Sequence, residues 1–308
     1  MHNFADRLLD AIDMKQNPSI IGLDTDLEKV PAFLRKEFED CSEDPFEAAA
    51  ECIVEFNRVI IDNIRDIVPA VKLQSAFYEQ CGSHGIRAFS ETARYAAGKG
   101  LIVVGDVKRG DIGSTSGAYS NAFLGKVPLF GKKEKSLDLD CITVNPYLGS
   151  DGILPFVEDC KKYGKGIFVL VKTSNPSSGE VQDLVSGGRK VYERVAELVG
   201  KWGSGLAGKR GYSPVGAVVG ATYPKEAAAL RRTMPKSIFL VPGYGAQGGG
   251  ARDVAACFNT DGYGAIVHSA RDVIFAYQKA IREKEFGEAA RQAAEKMKEE
   301  IASALGKT

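Results

Sequence analysis

The chain is expected to fold as an α/β protein, a (β/α)8 TIM barrel with extra helices at its N- and C-terminal ends. Three observations predict this. Eight short runs rich in β-branched residues recur along the 308 residues, most followed by a loop and then a helical pattern. The runs are nearly continuous in apolar character, as parallel strands covered on both faces must be. Their span, from residue 19 to residue 269, suits a barrel of about 250 residues. A doubly wound open sheet has the same alternation and is the alternative architecture.

In chain order, "MHNFADRLLDAIDMKQNPS" reads as an amphipathic helix and lacks the apolar core of a signal peptide. The strands are "SIIGLD" (19–24), "PAVKLQ" (69–74), "LIVVGD" (101–106), "CITVN" (141–145), "GIFVLVK" (166–172), "VGAVVG" (215–220), "SIFLVP" (237–242) and "GAIVHS" (264–269). Helical periodicity covers 45–65, 84–99, 187–201, 224–232 and 250–258, and the tail from 283 reads as a packing helix. Two segments look like additions. Residues 125–140 are charged and loop-like, and 175–188, after the fifth strand, have the small and polar residues of a mobile active-site loop. No low-complexity linker divides the chain, so 1–308 is expected to form one catalytic domain.

Forty basic side chains balance forty acidic ones. Nothing in that balance calls for nucleic acid or a membrane surface as partner. No apolar run approaches the ~18 residues of a membrane span. The six cysteines are scattered without a C-x-x-C pair, the pattern of buried reduced thiols in a cytoplasmic protein. The three histidines, His2, His84 and His268, lie far in sequence from any carboxylate cluster. Neither a metal site nor a Ser-His-Asp arrangement is expected, and His268 reads as a wall residue inside a strand.

Barrel active sites gather at the C-terminal strand ends. There the sequence offers Asp24, Lys72, Asp106, Lys108 and Asp111, then Thr173, Ser174 and Asn175, and Ser269 with Arg271. A lone Asp24 could cap a helix, and a lone Lys72 could reach solvent. Together they are harder to explain away. Asp106 and Lys108 are two apart and would share one side of an extended segment. With Lys72 on the next strand, several charges would crowd a low-dielectric interior, a poor route to stability and so a sign of chemistry. The loop "PGYGAQGGG" (242–250) after the seventh strand, with Arg271 after the eighth, matches the phosphate site common in such barrels. A phosphorylated small substrate follows.

The blocks "GLDTD", "VKLQSAFYE", "GDVKRGDIGSTS", "VKTSNPSS", "PGYGAQGGG" and "VHSARD" resemble, in order, those of the longer orotidine 5′-phosphate decarboxylases. The resemblance implies cofactor-free, metal-free removal of CO2 from orotidine 5′-phosphate to give UMP, the last step of de novo pyrimidine synthesis. It implies that Lys72, Asp106, Lys108 and Asp111 form an alternating charge network. Lys108 would protonate C6 and Asp106 would lie against the departing carboxylate. Asp24 would contact the ribose, Asp111 and Thr115 would complete the partner's site in a homodimer, and Ser174 would read the pyrimidine. Gln247, Gly248, Gly249 and Arg271 would hold the phosphate. A related branch, the 3-keto-gulonate 6-phosphate decarboxylases and hexulose-phosphate synthases, shares D-x-K-x-x-D but binds Mg2+ through an acid on strand two. Lys72 stands at that position here. A non-catalytic barrel that senses pyrimidine phosphates is the remaining alternative, and it would not need a lysine between carboxylates.

Overall fold

The computed structural model describes residues 2–245, 249–279 and 283–306. Eight strands, β1 (Ser19–Leu23), β2 (Ala70–Gln74), β3 (Ile102–Arg109), β4 (Cys141–Val144), β5 (Gly166–Lys172), β6 (Ser213–Val219), β7 (Ser237–Val241) and β8 (Ala265–Ser269), close into a barrel in chain order. Pairing is parallel, so all C-terminal ends share one rim. Closure of β8 onto β1 rules out the open sheet. Burial follows from position: β1, β4, β6 and β7 are buried at every residue, as strands flanked by side chains inside and helices outside must be.

By internal contact the chain forms two compact units. One comprises Ala11–Val107 and Ser269–Glu300. In it the helix Pro45–Ile64 starts where Asp44 accepts a hydrogen bond from the Phe46 backbone N–H and Pro45 occupies the first turn. Its inner stripe includes Ile53, Phe56, Ile60 and Ile64, spaced for one helical face. Phe56 stacks on Phe286 at 5.1 Å and on Phe275 at 5.8 Å. Arg291 grips both oxygens of Asp66 at 2.8 Å, fixing the C-terminal helix Phe286–Ala304 to this unit. A short helix, Ala32–Glu39, was not expected from the sequence.

The other unit comprises Met1–Asp10, Lys108–His268 and Ile301–Thr308. The N-terminal helix Phe4–Lys15 sets Phe4 edge-on against Phe168 at 6.1 Å. A Cβ on Gly166 would run into the Phe4 ring, so that glycine is required by close approach. Asp6, buried, accepts the backbone N–H groups of Lys209 and Arg210 at 2.9 and 2.8 Å.

Both additions carry more structure than their composition predicts. Within 125–140 an antiparallel hairpin joins Val127–Leu129 to Lys132–Glu134. It turns at Phe130 and Gly131, both at positive φ (+48° and +81°). Two positive-φ residues are what a tight two-residue hairpin turn needs, but phenylalanine seldom adopts that conformation, so the sequence did not signal it. Residues 175–188 begin in a 3-10 turn, Pro176–Ser178, and a short helix, Gly179–Gln182. They then enter a second hairpin, Val185–Ser186 with Arg189–Lys190, turning at Gly187 and Gly188. The helix expected from 187 therefore starts at Val191, and the one expected over 250–258 is the single turn Ala251–Ala255.

Five of the six cysteines are buried and only Cys41 is exposed. Burial pushes the Cys52 and Cys257 thiols up to about 12, far from the thiolate form at neutral pH. Ellman's reagent should therefore titrate one thiol rapidly in the native protein and all six in denaturant. A second fast thiol would show that a cysteine placed inside is accessible.

Candidate active site

The register of β1, β2 and β3 builds the charged centre. Gly22, Lys72 and Val104 lie side by side across the three strands. Asp24 and Asp106 stand two residues further toward the C-terminal rim on either flank, so period-2 alternation brings all these positions to one face. The Lys72 ammonium, 3% exposed, lies 3.0 Å from Asp24 Oδ1 and 3.1 Å from Asp106 Oδ2. Gln74 Nε2, the register partner of Asp106, donates to its Oδ2 at 2.8 Å. Burial by itself would push the Lys72 ammonium down, but the two carboxylates outweigh it and hold its pKa above the ordinary lysine value.

Behind Asp24 runs a buried polar chain. Thr25 Oγ1 donates to Asn57 Oδ1 at 2.7 Å, and Asn57 Nδ2 donates to Tyr78 Oη at 3.0 Å. These groups are fully buried, and such a satisfied network rigidifies what it touches. It fixes the end of β1, and it was not foreseen because neither Asn57 nor Tyr78 stands at a strand end.

Lys108 departs from the sequence expectation in two ways. Its φ is +46°, so the regular alternation that would align it with Asp106 breaks at this residue. Its side chain is also exposed, where the sequence predicts a buried one. The kink is held by its own backbone N–H, which donates to Thr143 Oγ1 on β4 at 2.9 Å. A left-handed lysine costs about 1–3 kcal/mol, and such conformations cluster at functional sites. Just downstream, Asp111 is half-buried and accepts the Ile112 N–H at 2.8 Å, and Thr115 is exposed on the helix Gly113–Phe123.

At the end of β5, Ser174 is clamped through its backbone. Thr222 Oγ1 donates to its carbonyl at 3.3 Å, and a Cβ on Gly220 would come within 2.8 Å of its Cα. The loop after β7 folds back on itself: the Gly249 N–H donates to the Gly243 carbonyl at 3.0 Å, and the Gly245 N–H to the Gly249 carbonyl at 2.9 Å. A Cβ on Gly249 would press on Gly243 O and Ala221 Cβ at 2.7 and 2.8 Å, so the tight return needs glycine. Gln247 and Gly248 lie outside the described residues. Arg271, exposed, opens the turn Arg271–Ile274 directly after β8.

Among the described residues no group of three or more His, Cys, Asp and Glu is arranged to hold a metal ion, and no helix is long and apolar enough to cross a membrane. His84, read from the sequence as unpartnered, has its Nε2 3.4 Å from Asp44 Oδ2. That contact joins the starts of two helices and is remote in sequence from the strand ends.

Residues 44–278 match the orotidine 5′-phosphate decarboxylase / HUMPS family. The chain belongs to that family. A protein named orotidine 5′-phosphate decarboxylase from Caldicellulosiruptor bescii is 45% identical over 305 residues, 99% of this chain and 100% of that relative. The structure of Leishmania donovani OMP decarboxylase superposes with a TM-score of 0.73 at 31% identity, covering 99% of each chain. Leishmania donovani UMP synthase matches at 32% identity and a TM-score of 0.75 over 99% of this chain, which spans 57% of that longer protein. The resemblance seen in the six sequence blocks thus extends along the whole chain.

Proposed function

We propose that this chain is a carbon–carbon lyase that decarboxylates orotidine 5′-phosphate to UMP without a cofactor, the closing step of de novo pyrimidine synthesis. One observation carries the reading: a fully buried Lys72 held between Asp24 and Asp106, two residues before Lys108 in "GDVKRGD". Breaking the bond from C6 to the carboxylate leaves the electron pair on a ring carbon with no adjacent sink. Catalysis must favour that charge over the ground state. Lys108 is the cation assigned to it and the source of the proton that replaces CO2. Lys72 holds Asp106 in place, and Asp106 faces the departing carboxylate. Asp24 takes the ribose, Ser174 the pyrimidine, and Gln247, Gly248, Gly249 and Arg271 the phosphate.

In the same reading the protein acts as a homodimer in which Asp111 and Thr115 complete the partner's site. The exposed Ile112, between those two, and the exposed Tyr147 and Leu148 supply apolar surface for such a contact. Mixing inactive Lys108→Ala and Asp111→Ala proteins should restore activity at roughly a quarter of the sites, because a hybrid dimer holds one intact set. No recovery on mixing would place all catalytic groups in one subunit.

Loss of orotidine 5′-phosphate absorbance with purified protein tests the function. Turnover should proceed without added metal and survive EDTA. Activity that vanishes in EDTA and returns with Mg2+ would move the chain to the metal-dependent branch. Arg271→Ala should raise KM and lower kcat/KM by roughly 10²-fold, since remote phosphate binding helps the substrate accept its charged surroundings. An unchanged KM would remove Arg271 from the phosphate site.

A further inference from the structure

Lys172, the last residue of β5, is 1% exposed, and no role in the reaction falls to it. Its ammonium lies 3.0 Å from Asp183 Oδ2 and 3.3 Å from Ser178 Oγ. The rings of Tyr223 and Tyr192 flank it at 4.6 and 5.5 Å from their centroids, within cation–π range. The other oxygen of Asp183 is 3.4 Å from the ammonium of Lys190. One carboxylate therefore ties the start of the segment after β5 to its end. Next to it, the Thr173 N–H donates to Gln182 Oε1 at 3.0 Å and Gln182 Nε2 donates to Thr173 Oγ1 at 2.8 Å. Lys172 and Thr173 on one side and Gln182 and Asp183 on the other form a two-rung brace around Ser174. All of these residues belong to one compact unit.

Apolar packing does little to hold the segment. Val181, Leu184 and Val185 are all more than half exposed. A buried ion pair is a weak source of net stability, yet it specifies one geometry over others. The Lys172 hydrogen bond holds the Asp183 carboxyl below the usual carboxylate range, so this carboxylate stays ionised at neutral pH.

We propose that Lys172 is a positioning residue: with Asp183 it latches the segment 175–190 onto the end of β5 and so sets Ser174 for contact with the pyrimidine. The role assigned to Ser174 rests on the decarboxylase reading, whereas the latch itself does not. Asp183→Asn and Lys172→Met each remove the charge pairing. Asp183 is partly exposed, so its variant keeps the barrel interior intact even if Lys172→Met disturbs folding.

Amide hydrogen exchange is measured on the substrate-free protein, with kcat and KM for orotidine 5′-phosphate in parallel. Exchange in peptides from 174–190 should quicken by about tenfold or more in both variants. KM should rise by about tenfold while kcat changes much less, the mark of lost binding common to ground and transition states. Asp183→Glu, which keeps the carboxylate, should recover most of both losses. Unchanged exchange and unchanged KM in Asp183→Asn overturn the latch. So does a loss confined to the melting temperature of Lys172→Met. A wild-type chain that does not decarboxylate overturns the role given to Ser174, and exchange then decides the latch by itself.

Discussion

Alanine at position 108 is expected to lower kcat by roughly 10⁴-fold while leaving the fold in place. The side chain is exposed, so its removal opens no cavity, and the backbone N–H can still reach Thr143. In the proposed mechanism, the substitution removes the cation at the carbon that gains the electron pair, together with the proton that ends the reaction. Substrate binding through the phosphate survives, so KM should move far less than kcat. Single-turnover decay of orotidine 5′-phosphate absorbance, alongside a calorimetric melt, separates chemistry from folding. A variant within tenfold of the wild-type kcat would strip Lys108 of its assigned role.

Lys72→Ala should cost about 3–5 kcal/mol of stability, the usual penalty for removing one member of a buried ion pair, and should also depress kcat. Asp24 and Asp106, both largely buried, would lose the ammonium that each contacts in the wild type. The pH dependence has a definite sign. In the wild type the folded Lys72 pKa lies above its ordinary value. Its stabilising contribution is therefore complete below about pH 10.4, the free lysine value, and is lost only as pH rises through the higher folded value. Between pH 6 and 9 this group gives no slope. The deficit of the alanine variant that comes from losing this ammonium should therefore stay constant between pH 6 and 9. Urea midpoints at pH 6 and pH 9 measure this, and a deficit that shrinks across that window would show the Lys72 ammonium losing its proton there.

Much of the barrel and half of the centre were legible from residue types alone. Lys72 stands out because a lysine inside "PAVKLQ" interrupts an apolar run, and strand pairing then puts it between the acids that end the neighbouring runs. Lys108 stood out as a candidate, but its geometry was not legible: period-2 counting assumes regular backbone, and a positive φ ends it. The two hairpins escaped because their polar, lysine-rich or small side chains look like solvated loop. Their turns depend on positive φ at Phe130, Gly131, Gly187 and Gly188, which composition expresses only in part. Lys172 escaped for the opposite reason. At the end of "GIFVLVK" a lysine reads as the point where a strand meets water, but Ser178, Asp183, Tyr192 and Tyr223, all distant enough in sequence to escape notice, enclose it.

The left-handed backbone at Lys108 also bears on any attempt to harden this protein against heat. Glycine or asparagine relaxes such a position, and each can add stability of the order of 1 kcal/mol where a longer side chain is strained. A library screened for thermal survival alone would be drawn toward those replacements and would accumulate sturdier, inert barrels. A screen that also demanded turnover would oppose that drift if Lys108 has the role proposed for it.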